Sequence, residues 1–411
     1  MKAYLKNMLH ENIVTIVFAV MCVLGFIASG QTLAYVFSEV VTRLFRNFGL
    51  VFSLIIPVIA GIGLNFGIVL GAMAAQAGII FVTHWRFEGI NAIIVATLIS
   101  LPLSVLFGYL LGRLFNKTKG QEMITGMIVG FFANGLYQLF FLVLIGTLIP
   151  MKDDRIMIYT GIGIKDTLKL EDGVVNALDN IMKVRMDKIA VPAIILGIVF
   201  VLYSYWKHKK DPKRNRNNLY ADISHLIGLV ILLLLAAFNK DVIFAMKFTT
   251  VPIVPLILMI VSGLFITAIL KTKLGQDFRA IGSNMDVAAA SGINVNKTRI
   301  IAIILSTIIS AWGQIVFLQN IGNFTTYSSH QKVGTFAVAA ILVGGASTKK
   351  ATIRQAIVGI ILFHTLFVIA PLAGKALLND AAYGEYFREA VSYGVITLSL
   401  VLHISSRKKG K

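Results

Sequence analysis

Charge is scarce in this sequence. Only 14% of its 411 residues are Asp, Glu, Lys or Arg, against roughly 25% in a soluble domain. Cysteine is nearly absent: Cys22 stands alone inside an apolar run, which excludes an internal disulfide. A soluble chain of this length would divide into domains joined by polar linkers, whereas here the polar stretches are short. No G-x-x-x-x-G-K-[ST] loop occurs, so nucleotide binding by that route is excluded. There is no H-E-x-x-H, and the scattered histidines have no Cys partner at zinc-ligand spacing. Gly61-Ile62-Gly63 lies in a hydrophobic run without a βαβ pattern and carries no dinucleotide reading. A membrane-embedded enzyme needs a convergent catalytic set, whereas His364 and Glu88 are isolated.

What fills the sequence is long uncharged runs. They are 13–38, 47–85, 89–112, 123–151, 189–206, 223–239, 249–270, 300–329, 333–348, 355–374 and 390–406. A hydrocarbon core about 30 Å thick takes about 20 apolar residues of helix. The run 47–85 is about 58 Å long as helix, enough for two crossings with a break near Gly61–Asn65. These runs predict an all-α fold, a polytopic membrane helix bundle with about 10–12 transmembrane helices. Two segments, near Val51–Gly63 and Gly334–Thr348, are short enough for half-helices. The whole chain, 1–411, reads as one transmembrane domain. Its first run exceeds the 7–15-residue core of a cleaved signal, so it is expected to act as an anchor.

Charge supports the count. With the amino terminus inside, the inner segments are 1–12, 113–122, 207–222, 271–299, 349–354 and 407–411. They carry 23 Lys or Arg and 6 Asp or Glu, and the outer segments carry 15 and 13. The net charge of +19 is thus almost entirely inside, as the positive-inside rule requires. This explains a pI near 9.9 without nucleic acid. The basic run Lys207–Arg216 reads as a topology anchor touching anionic lipid. Few ionisable residues fall within the runs. Carriers driven by protons or sodium generally need them, so the energy comes from elsewhere or the protein is a passive pore.

Small residues at four-residue spacing, Gly67/Gly71/Ala75, Gly126/Gly130/Asn134 and Gly108/Gly112, allow helices to approach closely in lipid. Uncharged polar residues at membrane depth are Asn65, Gln76, Asn134, Gln138, Gln314, Gln319 and Asn320. Asn134 and Gln138 share a helix face, with Phe131 and Phe132 just before them. Two readings stand: glue between helices, or a pathway for neutral polar solutes in which Asn65, Gln76, Phe131, Asn134, Gln138 and Gln314 replace water and stack on apolar faces.

The most specific segment is 271–299. Ser283 or Asn284 suits a helix N-cap, with Asp286 favourable in the first turn. Met285, Ala288 and Ala289 then line one face, and Gly292 suits the left-handed position that ends the helix. An exposed apolar stripe on such a helix marks a docking surface, or a helix lying on lipid.

Gly275, Arg279, Ala280, Gly282, Ala288, Ala289, Gly292 and Ile293 resemble the coupling loop of permeases in the branched-chain amino acid, simple sugar and nucleoside family of ABC importers. Gly63-Leu64-Asn65-Phe66-Gly67, with Gly71 and Gln76, is similar to the early glycine- and asparagine-containing helix of that family. Phe336–Gly345 resembles its late Ala-x-Ala-x-Leu-Gly-Gly segment. The likeness lies within 48–372. Here Leu70 stands near where the family often has an acidic residue, and segment 151–188 and the run from Lys207 are longer than usual. The resemblance implies two permease subunits around a pathway and two cytoplasmic ATPase subunits docked on 275–293 through Gly275, Arg279, Ala280, Gly282, Asp286, Ala288, Ala289 and Gly292. It also implies an extracytoplasmic solute-binding protein. ATP and magnesium are then bound by partner subunits, and this chain holds no cofactor and no metal. Segment 151–188, with seven basic and seven acidic residues, is either a solvated loop or a charged surface for that binding protein. A secondary carrier or passive pore is the alternative; it needs no ATPase.

Overall fold

In hydrocarbon every backbone N–H and C=O must find a partner within its own segment, so the uncharged runs fold as helices. The computed structural model describes residues 13–170, 173–209, 230, 233, 234 and 236–409. In chain order the helices are α1 (Ile13–Ser29), α2 (Leu33–Phe52), α3 (Ile55–Ile59), α4 (Ile68–His84), α5 (Gly89–Lys117) and α6 (Glu122–Leu139), the last extended by a wider turn, Phe140–Leu144. They continue with α7 (Met186–Lys209), α8 (Lys240–Phe248), α9 (Ile253–Lys271), α10 (Lys273–Ser283) and α11 (Met285–Ala290). The chain then forms α12 (Val295–Ile321), α13 (Ser329–Val343), α14 (Ile353–Leu378) and α15 (Ala381–Lys409). Among the described residues, four three-residue strands join them: β1 (Thr167–Lys169) pairs with β4 (Asn323–Thr325), and β2 (Lys183–Arg185) with β3 (Thr250–Pro252), both antiparallel. The fold is therefore helical with two small ribbons, which the apolar runs gave no reason to expect.

Among the described residues, five helices are long and apolar enough to cross a membrane: α5, α6 with its extension, α9, α12 and α14. The apolar helices α1 and α4 are shorter. The protein is a multi-pass membrane helix bundle. One continuous apolar core runs from Phe18 and Cys22 through Leu54–Ile56, Ile79 and Ile80 to Ile315, Val338–Ile341 and Phe363. Helices α6 and α9 turn most of their surface outward.

The loops collect at two ends. At one, the break after α3 meets Gly282 and Thr348, and Asn116 donates to Asn296 O. At the other, Gly89 donates to Gly173 O, Leu170 to Gly322 O, Asn176 to Gln319 O and Met186 to Thr249 O. We call these the hairpin end and the cap end. The inner segments 113–122 and 271–299, with the turn before 349–354, meet at the hairpin end. Segment 151–188 and the turns at 86–89 and 319–326 meet at the cap end. The alternation read from charge agrees with this partition.

Several boundaries differ from the sequence reading. The run 13–38 is not one helix. It breaks at Gly30 to Thr32, where Thr32 accepts from Tyr35 N and starts α2. Helix α2 then continues through Glu39, Arg43 and Arg46, which the charge count leaves among the outer segments. Val51–Gly63 is no separate half-helix; it is the end of α2 plus α3, followed by a break in which Gly61 and Gly63 take positive φ. The shortness of the 334–348 crossing holds, since α13 has 15 residues. The basic run beyond Lys209, the segment 1–12 and most of the run 223–239 lie outside the described residues.

Glycines set the closest crossings. A Cβ on Gly108 or Gly112 would come within 2.8 or 2.9 Å of the Cα atoms of Ile304 or Ile300, so this pair seats α5 on α12 as its spacing predicts. Gly71 faces Thr307 and Ser310 in the same way, whereas Gly130 faces open space.

Candidate functional site

The segment 271–299 folds as a helical hairpin, α10–α11. Asn284 breaks helical geometry at φ −156° and accepts from Asp286 N and Val287 N at 2.9 and 3.1 Å, which satisfies the first free amides of α11. Gly292, at φ +83°, ends the turn after it. Both features follow from the sequence. The stripe does not: Ala288 is 3% exposed and packs with Ile281, Val295, Met285 and Ile293. The face turned outward carries Asp286, Val287, Ala289 and Ala290, with Val287 61% exposed. Apolar side chains at the helical spacing of Met285 and Ala288 bury against the neighbouring turns, leaving the opposite face free.

The hairpin is held from two sides. Gly275 is buried where α10 turns back on the end of α9, Arg279 donates to Leu270 O from an exposed position, and Ala280 is half-buried. Gly282 lies against the break after α3: a Cβ on Gly61 would stand 2.7 Å from the Gly282 Cα. On the other side, fully buried Arg299 donates to Glu122 at the start of α6, to Phe115 O at 3.3 Å and to Met285 Sδ at 2.9 Å. This pair joins the hairpin, α5 and α6. Sequence reasoning counted both residues only as loop charges; the one signal was a lone carboxylate opening an apolar run.

The candidate pathway residues divide into groups. Asn65 is buried, donates to Ser306 Oγ at 3.2 Å and accepts from Gly67 N at 2.9 Å. It holds the break in shape. Gln76 and Asn134 meet through a residue the sequence reading missed: His330, whose Nδ1 lies 2.7 Å from Gln76 Oε1 and whose Nε2 lies 2.8 Å from Asn134 Oδ1. Tyr137 packs beside it, the rings tilted at 55° with centroids 5.1 Å apart. Three helices, α4, α6 and α13, are thus joined at one imidazole. The second amide atom of Gln76, the Tyr137 hydroxyl and both amide atoms of buried Gln314 have no hydrogen-bond partner. Such groups cost about 1–3 kcal/mol each when left unpaired. Phe131 is 67% exposed on the free face of α6, and Gln138 is half-buried. His330 was hard to see because a lone histidine between two runs names no partner.

The described residues of segment 151–188 form an ordered cap, with Ile156, Ile164, Leu168, Leu170 and Leu178 buried within it. Asp179 accepts from Gln319 at 2.7 Å and from Asn320 at 2.5 Å, so these two amides fasten the cap to the end of α12. Arg155 grips Asp153 at 2.7 Å and also reaches Thr83 O; hydrogen bonds from Arg155 hold the Asp153 carboxyl below the usual carboxylate range.

The sequence profile described as "Branched-chain amino acid transport system / permease component" matches residues 173–401, which include the hairpin. The early stretch around Gly63 lies outside that match. The chain is 28% identical over 158 residues to the xylose transport system permease protein of Haemophilus influenzae, covering 38% of this chain and 40% of that one. It is 23% identical over 154 residues to the nucleoside ABC transporter permease protein of Lactococcus lactis, with 37% of each covered. With the L-arabinose transport system permease protein of Escherichia coli it shares 27% over 157 residues, covering 37% and 43%. The matched stretches thus span about two fifths of these relatives. No solved structure matches.

Proposed function

This chain belongs to the branched-chain amino acid transport system / permease component family, and from that premise we propose that it is the transmembrane subunit of an ABC importer for a small polar solute, a simple sugar or a nucleoside. Two such subunits, identical or related, flank the pathway. Two ATPase subunits dock on the hairpin from the cytoplasm and bind ATP and magnesium; this chain has no catalytic role of its own. A solute-binding protein delivers its cargo at the cap end. The protein resides in the plasma membrane of a prokaryote with both termini in the cytoplasm.

The observation that carries this reading is the seating of Gly282 on the break at Gly61. A partner pushing on Asp286 and Val287 moves α10, and α10 bears on the point where the α2–α4 rod is interrupted. The Arg299–Glu122 pair passes the same displacement to α6. Packed elements respond to such a push by rigid-body movement. Helix α6 is bound to the bundle at Glu122, Gly126 and the His330 contact, while its other faces are free. Its tilting would uncouple Asn134 from His330 and expose amides to a hydroxylated solute; the unpaired atoms of Gln76 and Gln314 are then satisfied by that solute.

ATP-driven uptake into proteoliposomes containing this chain, its ATPases and its binding protein tests the reading. Replacing Arg279 and Gly282 together abolishes uptake and leaves membrane insertion intact. Unchanged uptake favours a secondary carrier or pore.

A further inference from the structure

Three partly buried arginines lie toward the cap end of the bundle, and none has its guanidinium fully hydrogen-bonded. Helix α2 carries Arg43 and Arg46, and α15 carries Arg388. The Nε of each is buried without a hydrogen-bond partner. Arg43 has Glu39 at 3.6 Å, too far for a hydrogen bond. Arg46 makes one long contact, 3.4 Å to Asn320 Oδ1, and lies 5.3 Å over the Phe317 ring. Arg388 donates to Phe367 O at 3.1 Å, sits 4.7 Å over the Phe367 ring and approaches Glu385 at 3.4 Å. His364, beside Phe367 on α14, is 6% exposed, with its Nδ1 unpartnered. Its ring centroid is 6.0 Å from that of Phe367, and the charges of Arg43 and Arg46 both reach it. Arg388 in turn acts on Arg43.

The nearby carboxylates do not account for this set. The Glu39 and Glu385 side chains are 40% and 56% exposed, and ion pairs so open to water hold little. Asp179, whose charge reaches Arg46, makes no hydrogen bond to it and instead accepts from Gln319 and Asn320. Partly buried cations at membrane depth mark a place where an ion or substrate is met. The planar guanidinium fork suits the paired oxygens of phosphate or carboxylate, and the uncommitted His364 nitrogen adds a further polar contact.

We propose that Arg43, Arg46 and Arg388, backed by His364, form a binding site for the phosphate or carboxylate group of an anion at the cap end of the bundle. The group belongs either to an anionic lipid headgroup or to a dissolved molecule; the chemistry recognised is the same. The site stands independently of the importer reading, since it requires no ATPase.

The test uses the full chain in nanodiscs, followed by its thermal unfolding midpoint. One arm titrates inorganic phosphate in phosphatidylcholine discs against potassium chloride of equal ionic strength. The other replaces part of the phosphatidylcholine with phosphatidylglycerol. The midpoint rises in at least one arm, and the rise is lost in Arg46→Gln and Arg388→Gln. It is kept in Arg113→Gln, a control arginine on α5 that lies 5.8 Å over Tyr109. Arg46→Lys retains charge without the fork and weakens half-saturation by about tenfold, which covers the case that Arg46→Gln does not fold. A phosphate response identifies a soluble anion; a response to phosphatidylglycerol alone identifies a lipid. No rise in either arm, or equal rises in wild type and the Arg46 and Arg388 variants, overturns the proposal.

Discussion

Gly282 and Gly61 lie so close that neither has room for a side chain. A methyl on Gly61 would reach within 2.7 Å of the Gly282 Cα, and one on Gly282 would press on the Ile59 carbonyl. Gly61 also takes φ +72°, where a side chain is strained. Gly282→Ala is expected to cost about 1–3 kcal/mol through overpacking against backbone that cannot yield. ATP-driven uptake falls severalfold while the protein still inserts, as transport and fractionation assays on the same membranes show. Full uptake in that variant would separate the hairpin from transport.

Arg299 and Glu122 make a second prediction. Removing one member of a buried ion pair leaves an uncompensated charge, at about 3–5 kcal/mol. Glu122→Gln therefore lowers the thermal midpoint sharply. The double variant Arg299→Met with Glu122→Leu recovers most of the loss. A double variant as unstable as the single one would mean that the pair contributes through packing rather than charge.

The contacts of His330 to Gln76 and Asn134 bear on helix α6. His330→Phe removes the imidazole's contacts to Gln76 and Asn134, a hydrogen bond of this kind being worth about 0.5–1.5 kcal/mol, and frees the middle of α6. Hydrogen exchange of amides in 130–139 then quickens relative to those of α5. Equal protection in both helices would show that α6 is held by other contacts.

At the cap, Arg155 holds Asp153 ionised, and the Asp153 carboxyl is depressed below its ordinary range. A depressed carboxyl contributes stability that is present above its unfolded pKa and lost as pH falls through the folded one. Limited proteolysis of 151–188 is thus expected to quicken under acid, below the ordinary carboxylate range. Asp153→Asn is expected to show fast cleavage at neutral pH and little change on acidification.

Much of the architecture was legible because it follows from local rules. Uncharged runs dictate helices, charge dictates which loops share an end, Gly108 and Gly112 seat α5 on α12, and Asn284 caps α11. The rest depends on contacts between residues far apart in the chain. Arg43 and Arg46 look like loop charges until α2 is seen to run unbroken through them. His330 gains its meaning only from Gln76 and Asn134 on other helices. The buried stripe of α11 reads as exposed because spacing alone identifies an apolar face without saying what covers it; Ile281 and Val295 do so.

The central claim is that an ATPase grips the outward face of α11. A photo-crosslinking residue at Val287, 61% exposed, tests it against one at Ala288, 3% exposed, in cells expressing the intact transporter. Val287 captures the ATPase subunit and Ala288 does not. Failure of Val287 to capture an ATPase, or its labelling by a membrane-impermeant reagent from outside the cell, would contradict the account.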